Sequence, residues 1–372
     1  MTSPTDEYVR RLERAADVAE EAGIDALLVS PSADLAYLCG YDAKPLERLT
    51  CLVIIPRREP TLLVPHLERP AALASPAGQL QIDLLSSAET DNAYDIVAKV
   101  LGSHARRVGL DNHMWAEKVL AFRAAMPAVE QVLAGPVLSE LRMRKSAAEV
   151  DALRDAGAAI DRVHARMGEW LRPGRTEIEV GADIAAAIVA EGHVRADFVI
   201  VASGPNGASP HHDLSHRVIH EGDPVVVDIG GTNEAGYCSD STRTYAVGSP
   251  PVDFRAYYEV LLEAQMAACD AVRPGVTCEQ VDAAARDIID KAGFGDYFFH
   301  RTGHGIGRET HEEPYIVAGN DLELEPGMAF SVEPGIYQHG RHGARIEDIV
   351  VCTETGVERL NQQPRELVVL DV

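Results

Sequence analysis

The sequence predicts two domains: a small α/β domain over residues 1–135 and a larger α+β domain over residues 136–372 made of two duplicated halves. Three observations carry this reading. A chain of 372 residues exceeds what one hydrophobic core ordinarily supports. Its first third alternates helical stretches with short apolar runs, "ALLVS", "LTCLVII", "TLLVP" and "RVGLD". Its remainder repeats itself: "RPGRTEIEVGADIAAAIVAEG" (172–192) matches "RPGVTCEQVDAAARDIIDKAG" (273–293) at an offset of 101 residues (273 − 172).

The opening stretch, "MTSPTDEYVRRLERAADVAEEAGIDALLVS", spreads charge through an amphipathic helical pattern and lacks an apolar signal core. No run elsewhere is long and apolar enough to span a membrane, so a cytoplasmic protein is expected. The six cysteines are scattered without a C-x-x-C pair, as expected of reduced thiols packed in cores. A net charge of -24 argues against nucleic-acid backbone or anionic lipid as partners, since both require clustered Lys and Arg.

The second domain should open with a long helix. Ser146 and Glu149 form a capping box, and Val150, Leu153, Ile160, Val163, Met167 and Leu171 follow at roughly helical spacing. Each copy of the repeat also starts a helix with its own capping box, Thr176 with Glu179 and Thr277 with Gln280. Downstream, "GDPVVVDIGG" aligns with "GMAFSVEPGI", which sets Asp228 opposite Glu333. The next strand of each half carries a further acid, Asp240 in "YCSDSTRTY" and Glu347 in "ARIEDIVVC". Packed about a pseudo-twofold axis, the halves would bring four carboxylates to the centre of one mostly antiparallel sheet.

Asp is depleted from strands, and buried like charges cannot all remain ionised without cations. Two divalent ions would neutralise four carboxylates, with bridging side chains suited to ions about 3.5–4 Å apart. His304, between glycines in "HRTGHGIGRETHEEPYIVAGN", offers a neutral nitrogen ligand. An oxygen-rich site with one nitrogen favours Mn²⁺, with Co²⁺, Fe²⁺ and Zn²⁺ as alternatives.

The ordered set "SGPNGASPHH", "VVVDIG", "SDSTRT", "TGHGIG", "HEEPYI", "FSVEPGIY" and "RIED" resembles the proline-specific metallopeptidases of the pita-bread fold, which include Xaa-Pro dipeptidase (prolidase) and aminopeptidase P. The N-terminal part is similar to their creatinase-like domain. The resemblance implies a pita-bread catalytic domain with pseudo-twofold halves and metal ligands Asp228, Asp240, His304, Glu333 and Glu347, of which Asp240 and Glu347 bridge. It implies Glu333 as general base toward an activated water, His311 stabilising the tetrahedral intermediate, and His211 contacting substrate, with its neighbour His212 the alternative. The family spaces its first two aspartates eleven apart, whereas Asp228 and Asp240 are twelve apart, an extra residue to be absorbed in the turn Gly231–Glu234 as a longer loop or bulge.

Arg345, two residues before Glu347, should share its sheet face and brace a ligand carboxylate or meet a substrate carboxylate. Tyr337 and Tyr237 are further candidates to line the site. By resemblance, the N-terminal domain helps close the pocket beyond proline, often from the neighbouring subunit of a homodimer, and Tyr37, Asp34 and Arg48 are candidates for it. The expected substrate is a peptide with proline at its second position. Hydrolysis of Xaa-Pro dipeptides is the leading expectation and aminopeptidase P action on longer peptides the alternative. A metal-free scaffold or a lyase on the same fold is a remote third.

Overall fold

The computed structural model describes residues 4–371. They divide into two compact units between Arg142 and Met143, seven residues past the expected boundary. The helix Gly135–Met143 accounts for the difference, because its Val137, Leu138 and Leu141 pack into the core of the first unit.

The first unit is a six-stranded mixed sheet: β1 (Ala26–Val29), β2 (Cys51–Ile54), β3 (Thr61–Pro65), β4 (Asp83–Ser87), β5 (Arg107–Leu110) and β6 (Glu130–Leu133), in the order β4-β3-β2-β1-β5-β6. The apolar runs of the sequence supply β1, β2, β3 and β5. The sheet is buried on both faces, as continuous apolar runs require. Leu27 and Val29 join one core with Leu12 and Ala15 of the helix Pro4–Glu21, while Ala26 and Leu28 join another with Val97 and Phe122.

The duplication of the second unit is visible in its helices. Glu177–Ala190 and Cys278–Lys291 begin and end 101 residues apart, and each carries the capping box expected of it, with Thr176 and Thr277 as caps. The opening helix runs Ala147–His164, its Ser146–Glu149 capping box in place. Helices 147–164 and 177–190 pack on one sheet, and helices 252–271 and 278–291 on the other.

The carboxylates do not share one sheet, contrary to expectation. One half holds β7 (His193–Ser203), β8 (Pro224–Asn233) and β9 (Cys238–Val247), flanked by β17 (Val368–Leu370), in the order β17-β9-β8-β7. The other holds β10 (Gly303–Gly305), β11 (Glu312–Ile316), β12 (Ala329–Val332), β15 (Asp348–Cys352) and β16 (Val357–Arg359), in the order β11-β10-β12-β15-β16. A separate ribbon pairs β13 (Gly335–Gln338) with β14 (His342–Arg345). "ARIEDIVVC" is therefore not one strand: the chain leaves the ribbon after Arg345 and enters the larger sheet at Asp348. The sheets meet where the Glu347 N–H donates to the Thr242 carbonyl at 3.1 Å.

The extra residue between the aspartates lies in the connection, as a loop. β8 runs through Asn233, beyond the turn expected at Gly231–Glu234, and the chain reverses over residues 234–237 with Gly236 at φ +80°. The β8–β9 register is unbroken, pairing Asp228 with Thr242 and Gly230 with Asp240. Asp240 and Thr242 are two apart on β9, so Asp228 and Asp240 point to the same face.

Candidate functional site

The backbone first has to admit a histidine to a crowded strand. β10 runs between β11 and β12, and a Cβ at Gly303 would lie 1.8 Å from the Ser331 carbonyl oxygen, one at Gly305 2.2 Å from that of Glu313. Glycine on both sides lets three strands close around His304, whose N–H is held by Ser331 Oγ at 3.0 Å.

One donor atom each from Asp240, His304 and Glu347 lies within 4.8 Å of the others, and all three residues are buried. His304 Nε2 is 3.6 Å from Asp240 Oδ2 and 3.2 Å from Glu333 Oε1. Asp228 joins through Arg345, whose Nη2 donates to Asp228 Oδ2 at 2.6 Å, while Asp228 Oδ1 is buried without a hydrogen-bond partner among the described residues. The five residues expected as ligands thus form one contiguous group.

Its electrostatics are those of a group short of positive charge. Burial, and then repulsion from Glu347, Asp228 and Glu333, lifts Asp240 well above the carboxylate range. Burial and the charges of Glu333 and Asp228 do the same to Glu347. Burial also pushes Glu333 up, but His304, His300 and Arg345 outweigh it and hold Glu333 down at about 2. An orphaned buried carboxylate oxygen beside two acids that resist ionisation is what a cation site presents before its charge is counted. The oxygen-rich donor set with one imidazole fits divalent metal.

Arg345 and Thr242 organise these acids. Arg345 Nε donates to Thr242 Oγ1 at 3.0 Å, and the Thr242 hydroxyl donates to Glu347 Oε2 at 2.7 Å. Arg345 Nη1 donates to the Tyr337 hydroxyl at 2.8 Å. Of the two roles expected for Arg345, its contact with Asp228 is that of a brace on a buried carboxylate. Tyr337 is buried and belongs to the same network. Gly335 makes room for it, since a Cβ there would lie 2.2 Å from its hydroxyl oxygen.

Three histidines border the acids. The His311 ring lies 4.1 Å from that of His304. Partial desolvation, then the charges of His304 and Arg301, pull His311 down to about 4, so it is neutral at pH 7. His211 is exposed and near enough to His311 to add to that depression. His212 instead turns away, with Nε2 2.8 Å from Glu177 Oε2 in a network with Ser203, Asn206 and Ser215. The neighbouring pair thus has different surroundings: His211 is exposed and near His311, and His212 is bonded to Glu177.

The third histidine, His300, escaped sequence reasoning. Its Nε2 is 2.9 Å from the Tyr337 hydroxyl and its Nδ1 2.7 Å from the Arg301 carbonyl. The only signal was its place four residues before His304 in "HRTGH", which singles out no chemistry without the fold.

The four remaining candidates make contacts of their own. Tyr37 is a core residue of the first unit, its hydroxyl donated to the Leu141 carbonyl at 2.9 Å and its ring covered by Arg11. Arg48 is spent on exposed ion pairs with Glu47 and Glu89, at the edge of a cavity of about 320 Å³ in the first unit. Tyr237 packs away from the acids and donates to Glu149 at 2.7 Å. Asp34 forms a second acidic group with Asp111 and His113, but Arg142 pairs with Asp34 at 2.7 Å and Ser30, Ser32 and the His113 N–H bond Asp111. A structural role accounts for that group.

Residues 151–354 match the model of metallopeptidase family M24, and residues 11–144 that of the creatinase/prolidase N-terminal domain. The chain is 54% identical over 365 residues to the probable dipeptidase PepE of Mycobacterium tuberculosis, covering 98% of this chain and 97% of that one. Among solved structures, dipeptidase PepE from Mycobacterium ulcerans superposes with a TM-score of 0.96 at 54% identity, over the full length of both chains. A prolidase from Thermococcus sibiricus superposes with a TM-score of 0.92 at 37% identity, over 98% of this chain and 99% of that one.

Proposed function

The chain belongs to metallopeptidase family M24, and from that premise we propose that it is a metal-dependent dipeptidase that hydrolyses the Xaa-Pro bond. The observation that carries the proposal is the convergence of Asp228, Asp240, His304, Glu333 and Glu347, flanked by His211, His311 and His300. The names of the similar proteins, dipeptidase and prolidase, support the substrate class.

In this reading Asp228, Asp240, His304, Glu333 and Glu347 would hold two divalent ions, with Mn²⁺ the favoured metal. Such ions, when bound, would supply Lewis acidity toward a carbonyl and toward water. The chain's own residues do the rest. Glu333 is held ionised by His304, His300 and Arg345 and is the residue assigned to accept the proton of the attacking water. Neutral His311 donates a hydrogen bond to the oxyanion that develops on the carbonyl oxygen. His211 contacts the substrate near proline. Arg345 and Thr242 keep the carboxylates oriented throughout. A tertiary Xaa-Pro amide has no N–H to offer, so recognition falls to the ring and to the groups around the carbonyl.

We also propose a cytoplasmic homodimer, on the resemblance alone; sedimentation velocity tests the dimer. The activity is tested with Ala-Pro, Ala-Pro-Ala and Ala-Ala, using EDTA-stripped protein reloaded with Mn²⁺ beside an unreloaded control. Metal-dependent cleavage of Ala-Pro alone is the expected result. Comparable cleavage of Ala-Pro-Ala would make the protein an aminopeptidase P, and silence on all three would remove the peptidase reading.

A further inference from the structure

Strand alternation puts Arg243 on the hidden side of the site. Asp240, Thr242 and Thr244 point to one face of β9, so Arg243 points to the other, where its side chain is 3% exposed. Every nitrogen of its guanidinium is used. Nη1 donates to the Thr242 carbonyl at 2.9 Å and the Glu347 carbonyl at 2.5 Å. Nη2 donates to Asp348 Oδ1 at 2.6 Å and the Gln363 carbonyl at 2.9 Å, and Nε to the Pro364 carbonyl at 2.9 Å.

A buried arginine needs a carboxylate partner, and Asp348 would suffice for that. The two bonds to residues 242 and 347 call for another account, because these are the residues whose side chains meet on the site face at 2.7 Å. The seam between the halves is thus held three times: by Thr242 and Glu347 side chains in front, by the Glu347 N–H on the Thr242 carbonyl in the middle, and by one guanidinium spanning both carbonyls behind. Close packing does not duplicate the rear hold, since a cavity of about 120 Å³ lined in part by His164, Arg243, Tyr245 and Pro364 lies beside it. The hold is itself fixed in place: Gln265 Nε2 donates to Asp348 Oδ2 at 3.1 Å, and Arg365 Nη1 to Gln265 Oε1 at 2.7 Å.

We infer that Arg243 is a positioning residue for the metal centre, a clamp behind the seam that sets the separation of Asp240 on one half from Glu347 on the other. The inference rests on the reading that these two acids bridge metal. The clamp fixes that separation from the far side, with Gln363 and Pro364 of the C-terminal segment closing the grip.

The test uses the full chain as Arg243→Lys and as the double variant Arg243→Met/Asp348→Leu, which removes both buried charges and so folds where the single variant does not. Circular dichroism checks the fold, calorimetric titration with Mn²⁺ gives the affinity for the second ion, and electron paramagnetic resonance reports whether the two ions are exchange-coupled. The expected result is folded protein with second-ion affinity lowered about tenfold or more, coupling lost, and kcat on Ala-Pro reduced with KM nearly unchanged. Wild-type affinity and coupling in the folded double variant would overturn the clamp. Hydrogen exchange at the Glu347 amide, followed in metal-free protein, reads the clamp without any metal. Exchange should quicken about tenfold in the variant, and unchanged exchange would sink the inference even if the wild-type protein were found to hold fewer than two ions.

Discussion

The Thr242 hydroxyl donates to Glu347 Oε2 at 2.7 Å while accepting from Arg345 Nε at 3.0 Å, so one small side chain links a cationic brace to an acid across the boundary between two sheets. Thr242→Val keeps the shape and removes both bonds. The expected outcome is a fall in kcat/KM on Ala-Pro of about tenfold, within the range for outer partners of metal ligands, with the fold intact. Steady-state kinetics beside a melting curve checks it.

Arg345 holds Asp228 at 2.6 Å and the Tyr337 hydroxyl at 2.8 Å. Lysine cannot reproduce a planar fork that reaches in several directions. Arg345→Lys should therefore lower metal affinity or activity by roughly 10–100-fold. Wild-type metal content together with wild-type kcat/KM in this variant would contradict the bracing role.

Metal removal should be visible as proton uptake. Burial and mutual repulsion lift Asp240 and Glu347 well above the carboxylate range in the absence of cations, so metal-free protein holds protons to a higher pH than free carboxylates do. Reloading EDTA-stripped protein with Mn²⁺ should release protons, increasingly so as the pH is lowered, since ligands bind metal deprotonated. A pH-stat titration counts them. By the same argument Asp240→Asn should melt higher than wild type when both are metal-free, and lower when both are loaded.

The neighbours His211 and His212 should separate by kind of effect. His211→Ala is expected to lower kcat/KM with metal content and melting temperature unchanged. His212→Ala leaves buried Glu177 without one of its donors and should lower stability by about 1–3 kcal/mol. Urea unfolding and Ala-Pro kinetics on both variants distinguish the roles, and a reversed pattern would exchange them.

Acid should weaken the fold through His164. Burial, then the nearby charge of Arg243, drops this histidine from 6.5 to about 3, despite its bond with the Ser241 carbonyl. Below about pH 6.5 the unfolded chain takes up a proton that the folded chain refuses, so unfolding gains protons and stability falls as pH falls. The loss runs from about pH 6.5 toward about pH 3, at up to about 1.4 kcal/mol per pH unit. Urea midpoints between pH 7 and 5 measure the slope, which should be shallower in His164→Gln.

How much of this was legible in the chain differs by residue. Asp228, Asp240, Glu333 and Glu347 stood out because acids inside apolar strands violate strand preference, and the repeat set them opposite one another. His304 stood out through its flanking glycines. His300 and Thr242 did not, because a loop histidine and a strand threonine are ordinary until the fold gives them neighbours. Tyr37 and Arg48 drew notice because their chemistry suits a substrate carboxylate, and the fold adds the hydrogen bonds each makes within the first unit.

The sequence by itself determined the two domains, the helices capped at Ser146, Thr176 and Thr277, and the identity of the acids and the histidine that form the cluster. Those features follow from local rules: capping chemistry, apolar periodicity and the penalty on buried charge. Only the tertiary structure decided that the acids meet at a seam between two sheets, that Arg345 spends itself on Asp228, and that His211 and His212 have different surroundings. These depend on contacts between residues up to 117 positions apart in the chain, as Arg345 is from Asp228. Sequence periodicity reports which face a side chain points to, and only packing determines what waits on the other side.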